Sequence, residues 1–382
     1  MINDAGGIKN PSEVVARMCT DLTAAGVPVD RCHALVRTLH PHIAGRSFLW
    51  MPGRHVEVAE HSYDELLRPE VDEFSYIPVF RKGVIIRKRL VGEKKLTPDL
   101  IPLAEDGYTD FFAGPLKFIS GQIHGIFFAT RHPDGFSDDD IHALERVLGP
   151  LSRIGEIFAL MRTATNLLNT YVGHDAGARI MAGQIQRGET NSIHAVIWFS
   201  DLRGFTSMSG TLQPAEIIST LNSVFDCQVP FIELHGGHVL KFIGDGLLAI
   251  FPCSDNPASQ AESALAAVAQ AFSSLDALND TRVRDGNNPL RFGVALHLGD
   301  VAYGNIGGAN RLDFTCIGPS VNLAARLETL TSKVDKNLIV SDEIARLITV
   351  PLEPLGEFDL KGVGTPVKAF AVPFIDKTNN HN

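Results

Sequence analysis

Two aspartates stand where apolar, strand-like runs end. Asp201 closes IHAVIWFSD and is followed by LRGFTS; Asp245 lies in KFIGDGLL, in a glycine-flanked turn between two apolar runs. Taken singly, either is accounted for as a turn residue whose side chain caps the local backbone. Held on neighbouring strand ends, the pair would bind a hard cation such as Mg²⁺ through oxygen and leave positions open for substrate phosphates. Gly204-Phe205-Thr206-Ser207, just after Asp201, could offer backbone N–H groups to a polyphosphate at a helix N-terminus. Further on, TCIGPSVNLAARLE places a strand-breaking Gly318 before Ser320, an expected helix cap. Asn322 and Arg326 are then four apart and share a helical face, where an amide and a planar guanidinium could grip a sugar and a phosphate. The plainer account of that face is solvation, with Arg326 paired to Glu328. Lys361, in FDLKGVGTP, has an exposed strand end as its default reading and an anion contact as its functional one.

Each element is weak alone, but their order is specific. FSDLRGFT, HGGHVLKFIGDGLLAIF, VALHLGDVAYGNIG, DFTCIGPSVNLAARLE and LKGVGTPV together closely resemble the class III nucleotidyl cyclase catalytic domain over about residues 190–375. The resemblance implies an α+β, ferredoxin-like (βαββαβ) domain, two copies of which pair head to tail with the active sites at their interface. It assigns Asp201, Leu202 and Asp245 to two Mg²⁺ or Mn²⁺ ions per site. It makes Asn322 and Arg326 the catalytic ribose and α-phosphate residues. Gly204, Phe205, Thr206 and Lys361 fall to the phosphates, and Lys241 and Thr315 to the purine.

The family's commonest enzymes carry Asp where Thr315 stands, and guanylate cyclases usually carry Glu and Cys at the two purine positions. Lysine can donate to adenine N1 and a hydroxyl can accept from its amine, so Lys241 with Thr315 points to ATP. The pair resembles the subclass in which bicarbonate often stimulates activity. The implied reaction is in-line attack of the ATP 3′-hydroxyl on the α-phosphate, giving cyclic AMP and pyrophosphate in a homodimer with two equivalent sites. Two departures stand out: Pro319 replaces the usual Asp or Asn, and Asp300 stands where some mammalian catalytic halves have a phosphate-binding Arg. The alternatives are a guanylate cyclase, against which Lys241 speaks, and a catalytically silent nucleotide-sensing module.

These residues need a scaffold, and the chain has 382 residues to build it, enough for two domains. Residues from about 11 to 40 carry helical periodicity, with Val14, Val15, Met18, Leu22 and Ala25 on one side and Gly26 as a stop. From Ser47 to Thr130 strand-like runs follow: SFLWM, YIPVF, GVIIRKRL, FFAGPLKFI and IHGIFFAT. Ser137 is an expected N-cap, with Asp138, Asp139 and Asp140 at the positive end of the next helix. This order, with GIFFATRHPDGFSDDDIHALERV, resembles a GAF-type sensor domain, which implies an unidentified small-molecule effector.

Leu144, Val147, Leu151, Ile154, Phe158, Met161, Thr165, Leu168 and Val172 keep a heptad spacing that reads either as core packing or as a parallel dimer connector. Pro150 is expected to kink or split that helix. The expected division is a GAF-like α/β sensor over 1–148, a helical connector over 149–190, the cyclase domain over 191–376 and a disordered tail over 377–382. A net charge of -10 speaks against sequence-independent nucleic-acid binding, and without a run of 18 apolar residues no membrane span is expected. Five scattered cysteines without a CxxC pair, and an N-terminus without a secretory pattern, point to the cytoplasm.

Overall fold

The computed structural model describes residues 10–37, 43–66, 72–93, 95–253 and 256–373, so the expected tail lies outside the described residues. The chain divides into two compact units, Met1–Leu167 and Leu168–Asn382. The first unit is built on a six-stranded antiparallel sheet of order β3-β2-β1-β6-β5-β4, with β1 Arg31–Arg37, β2 Gly45–Trp50, β3 Glu57–His61, β4 Ile86–Arg89, β5 Asp110–Lys117 and β6 Ile123–Thr130. The helix Pro11–Ala24 buries Val14, Val15, Met18 and Leu22, as its periodicity predicts. Together with Leu144, Leu148 and Leu151 these residues form one core with Phe112, Ile126 and Phe128 of the sheet.

Three expectations for this unit change. The helical stretch ends at Ala24, and Arg31–Arg37 is a strand whose alternate residues Cys32 and Ala34 are buried. YIPVF is not a strand: Ile77–Lys82 is a helix with proline in its first turn and Gly83 left-handed at its end, which suits a residue that cannot donate to a sheet ladder. Pro150 does not split its helix, which runs from Asp138 to Val172. Proline within a helix costs about 3 kcal/mol. Burying Leu144, Leu148 and Leu151 beside it returns about 1.5–3 kcal/mol each, so packing wins. Ile154 and Phe158 also pack on this core, while Met161 is exposed. The first half of the heptad seam is therefore core packing within the unit.

The second unit has an eight-stranded sheet of β7 Thr190–Leu202, β8 His238–Ile243, β9 Gly246–Pro252, β10 Phe292–Gly308, β11 Arg311–Ile317, β12 Leu338–Ser341, β13 Glu353–Phe358 and β14 Val367–Ala371. The order is β13-β14-β12-β10-β7-β9-β8, with β11 paired to β10. Within it β7, helix Pro214–Asp226, β8, β9, helix Pro257–Arg284 and β10 give the predicted βαββαβ order. Strand alternation sends Val196 and Trp198 of β7 and Val294 and Leu296 of β10 into a core under those helices. The other face packs Ala295 against Leu327 and Leu330 of the helix Pro319–Lys333. All five cysteines are free, and among the described residues no helix is long and apolar enough to cross a membrane.

Candidate active site

Asp201 is near the end of β7, on the face opposite Val196 and Trp198, and its neighbour across the sheet is Gly293 of β10. Asp245 occupies the two-residue turn between β8 and β9, where Ile243 pairs with Gly246 and Gly244 takes φ 64°. A Cβ on Gly246 would sit 2.7 Å from the Ser200 carbonyl oxygen and 3.1 Å from Asp201 Oδ1. The glycine thus lets the hairpin close onto the first aspartate. Burial pushes the Asp201 carboxyl up to about 6, and the charge and hydrogen bond of Asp245 add to it. Asp245 is raised too, again chiefly by burial. Glu328 is pushed up to about 7 by burial and then by the Asp201 charge.

Oxygen donors that repel one another suit hard divalent cations, so Asp201 and Asp245 fit the metals expected of them. No group of three or more His, Cys, Asp or Glu that could hold a metal occurs among the described residues. Further ligands would have to come from main chain and substrate. The Leu202 side chain is buried in the core, which leaves only its carbonyl for such a role.

Lys241 Nζ on β8 is 3.0 Å from Asp313 Oδ2 on β11. Asp313 is two residues before Thr315 and so on the same face of the strand, a period-two relation that the sequence reading missed. The Thr315 hydroxyl is buried and, among the described residues, has no hydrogen-bond partner. Cys316, whose thiol is pushed up to about 11 by burial, is near enough to Lys241 to feel its charge.

Asn322, Arg326 and Lys361 line one cleft of about 730 Å³, with His297, Gly299, Ser320, Glu343 and Gly362. Asp201, Asp245, Lys241 and Thr315 are not among its lining residues, so one chain gathers the expected site as separate groups. The helix Pro319–Lys333 that carries Asn322 and Arg326 begins at Gly318, and no side chain caps it. Ser320 lies inside the first turn rather than at the cap, because Pro319, lacking an N–H, takes the first helical position. Gly204, left-handed at φ 72°, precedes the short helix Phe205–Ser209; Phe205 leans on the core and Thr206 is exposed.

Residues 189–373 match the family model of the adenylate and guanylate cyclase catalytic domain. This segment belongs to the class III cyclase family. The chain is 29% identical over 229 residues to an adenylate cyclase of Anabaena cylindrica, covering 56% of this chain and 44% of that protein. It is 31% identical over 180 residues to the terminal-differentiation-specific adenylate cyclase of Dictyostelium discoideum, covering 47% of this chain and 8% of that one. The chain thus spans less than half the length of these curated relatives. A bacterial light-regulated adenylyl cyclase structure aligns over 70% of this chain and 91% of its own, at TM-score 0.50 and 20% identity, a likeness of fold alone.

Proposed function

We propose that the chain is an adenylate cyclase, converting ATP to 3′,5′-cyclic AMP and pyrophosphate in composite sites of a homodimer. The observation that carries this reading is the convergence of Asn322, Arg326 and Lys361 on one cleft of the cyclase domain, apart from the Asp201–Asp245 pair. Two copies pairing head to tail would bring the cleft of one to the carboxylates of the other. Arg326 then faces the α-phosphate and stabilises the charge that builds there, Asn322 orients the ribose, and Lys361 holds the terminal phosphates. Asp201, Asp245 and the Leu202 carbonyl would hold Mg²⁺ or Mn²⁺, and Gly204, Phe205 and Thr206 would meet the triphosphate. Bound there, the ions supply a lowered 3′-hydroxyl pKa and neutralise phosphate charge. Lys241, aligned by Asp313, donates to adenine N1, and the unpaired Thr315 hydroxyl supplies the second purine contact.

The family includes enzymes for both purines, so the assay is of ATP against GTP with Mg²⁺ or Mn²⁺. Cyclic AMP should form from ATP at least about tenfold faster than cyclic GMP forms from GTP under equal conditions. A reversed preference would overturn the adenine reading, and no cyclic product from either would overturn the cyclase reading.

The antiparallel sheet of the first unit, flanked by the helices Pro11–Ala24 and Asp138–Val172, supports a GAF-like sensor that regulates output through the long helix. Its effector would be found by mass spectrometry of small molecules released from the purified chain. Bicarbonate stimulation belongs to the same proposal; a flat rate against bicarbonate at fixed pH removes it. Free thiols fit a reducing, cytoplasmic setting.

A further inference from the structure

His297 was not among the residues picked out by sequence, yet it lies in the wall of the Asn322–Arg326–Lys361 cleft. It sits on β10, on the face covered by the helix Pro319–Lys333, and is 5% exposed. One side of its ring is held: Nδ1 is 2.9 Å from Ser341 Oγ and 3.4 Å from Glu343 Oε2. The hydrogen bond from His297 keeps the Glu343 carboxyl low, at about 2, so an anion faces that nitrogen. The other side is open. The contacts recorded for the ring among the described residues, to Ser341 and Glu343, are both made through Nδ1. A Cβ on Gly299 would lie 3.3 Å from Nε2 and 2.3 Å from Ser320 Oγ, which places Nε2 beside the first turn of the helix. That turn has an uncapped N-terminus with the positive end of a 15-residue helix.

We propose that His297 is a phosphate ligand, which together with Lys361 and the first turn of the helix holds the terminal phosphates that leave as pyrophosphate. Ser341 and Glu343 fix its ring. The chemistry follows from the two nitrogens. A neutral imidazole donates on one side only, whereas an imidazolium donates to Glu343 through Nδ1 and to a phosphate oxygen through Nε2. An anion in the cleft therefore lies across the imidazole ring from the Glu343 carboxylate. That the polyphosphate belongs to a nucleotide undergoing cyclisation rests on the proposed cyclase reading; that the cleft takes a polyphosphate does not.

The test compares binding of inorganic pyrophosphate and tripolyphosphate with that of adenosine, on the full chain in Mg²⁺ buffer. His297→Asn keeps a group near Ser341 but loses the reach of Nε2. It should weaken both polyphosphates about tenfold and leave adenosine within about twofold. His297→Gln returns a donor near the Nε2 position and should recover part of the loss. In turnover, His297→Asn should raise the KM for ATP more than it lowers kcat. Unchanged polyphosphate affinity, or an equal loss for adenosine, overturns the proposal. If His297→Asn does not fold, Glu343→Gln at an exposed position decides: weaker polyphosphate binding supports the proposal and unchanged binding overturns it. Should the wild type make no cyclic nucleotide, the cyclase reading falls while the polyphosphate comparison still decides the role of His297.

Discussion

Asp110 in the first unit and Asp201 in the second both sit on sheet strands, and their surroundings differ. Asp110 is fully buried and compensated: Arg87 reaches its Oδ2 through Nη2 at 2.9 Å and Nε at 3.2 Å, and the Phe136 N–H donates to the same oxygen at 3.1 Å. Asp201 instead faces Asp245, whose charge and hydrogen bond add to burial in raising the Asp201 carboxyl, while Asp245 is raised by its own burial. Arg203 offsets only part of the matching strain on Glu328. A buried charge kept for the fold comes with its partner, because an unpaired one costs several kcal/mol. Carboxylates left facing each other mark a place where something from outside completes the site.

That contrast breaks most visibly by mutation. Asp201→Ala should lower Mg²⁺-dependent turnover by about 10³-fold or more and leave the melting temperature of the metal-free protein unchanged or higher. Asp110→Ala should do the reverse, destabilising the first unit by about 3 kcal/mol by stranding Arg87. Near-wild-type turnover in Asp201→Ala would remove the metal assignment. Parallel losses of activity and stability would make Asp201 a structural residue of the Asp110 kind.

A smaller effect sharpens the separation inside the cyclase domain itself. If Lys241 and the cleft of one copy meet the carboxylates of the other in one reaction, Lys241→Ala and Asp245→Ala should each be inactive, and mixing them should restore activity through one intact site. Random pairing makes half the dimers mixed, each with one working site, so about a quarter of wild-type turnover is the expectation. No recovery, with mixed dimers demonstrated, would end the shared-site account.

The family resemblance implied the βαββαβ order, and the elements holding Asp201, Asp245, Asn322 and Lys361 were legible because apolar strand runs and Gly-marked turns are local signals. Residues whose role depends on non-local register were not. Asp313 matters because β11 lies against β8, and His297 because β10 runs beneath a helix that starts 22 residues later. YIPVF misled for the opposite reason: its composition suits a strand, while Pro78 and Gly83 fit the ends of one short helix. The heptad pattern was real, yet spacing alone could not say that its first half faces its own unit's core.

The finest prediction uses the buried histidines against the raised carboxylates. His33 and His124 of the first unit are pushed down to about 4, chiefly by burial, with Arg31 and His61 adding at the first and Arg37 at the second. Glu156 opposes the shift at His124. Unfolded histidine titrates near 6.5, so below that pH the unfolded chain takes up protons that the fold refuses. Each of the two histidines should cost the first unit about 3 kcal/mol as pH falls from about 6.5 toward 4. Asp201 and Glu328 run the other way. Their folded values, about 6 and about 7, lie above the unfolded ones, so their stabilising share is complete at low pH and is lost as pH rises to 7. The chain has two tryptophans, Trp50 in the first unit and Trp198 in the second, and both are buried. With Trp198→Phe, fluorescence in urea reads the first unit; with Trp50→Phe it reads the second. In chelator, moving from pH 7 to pH 5 should lower the urea midpoint of the first and hold or raise that of the second. Equal shifts of both would mean that the two units handle buried charge alike.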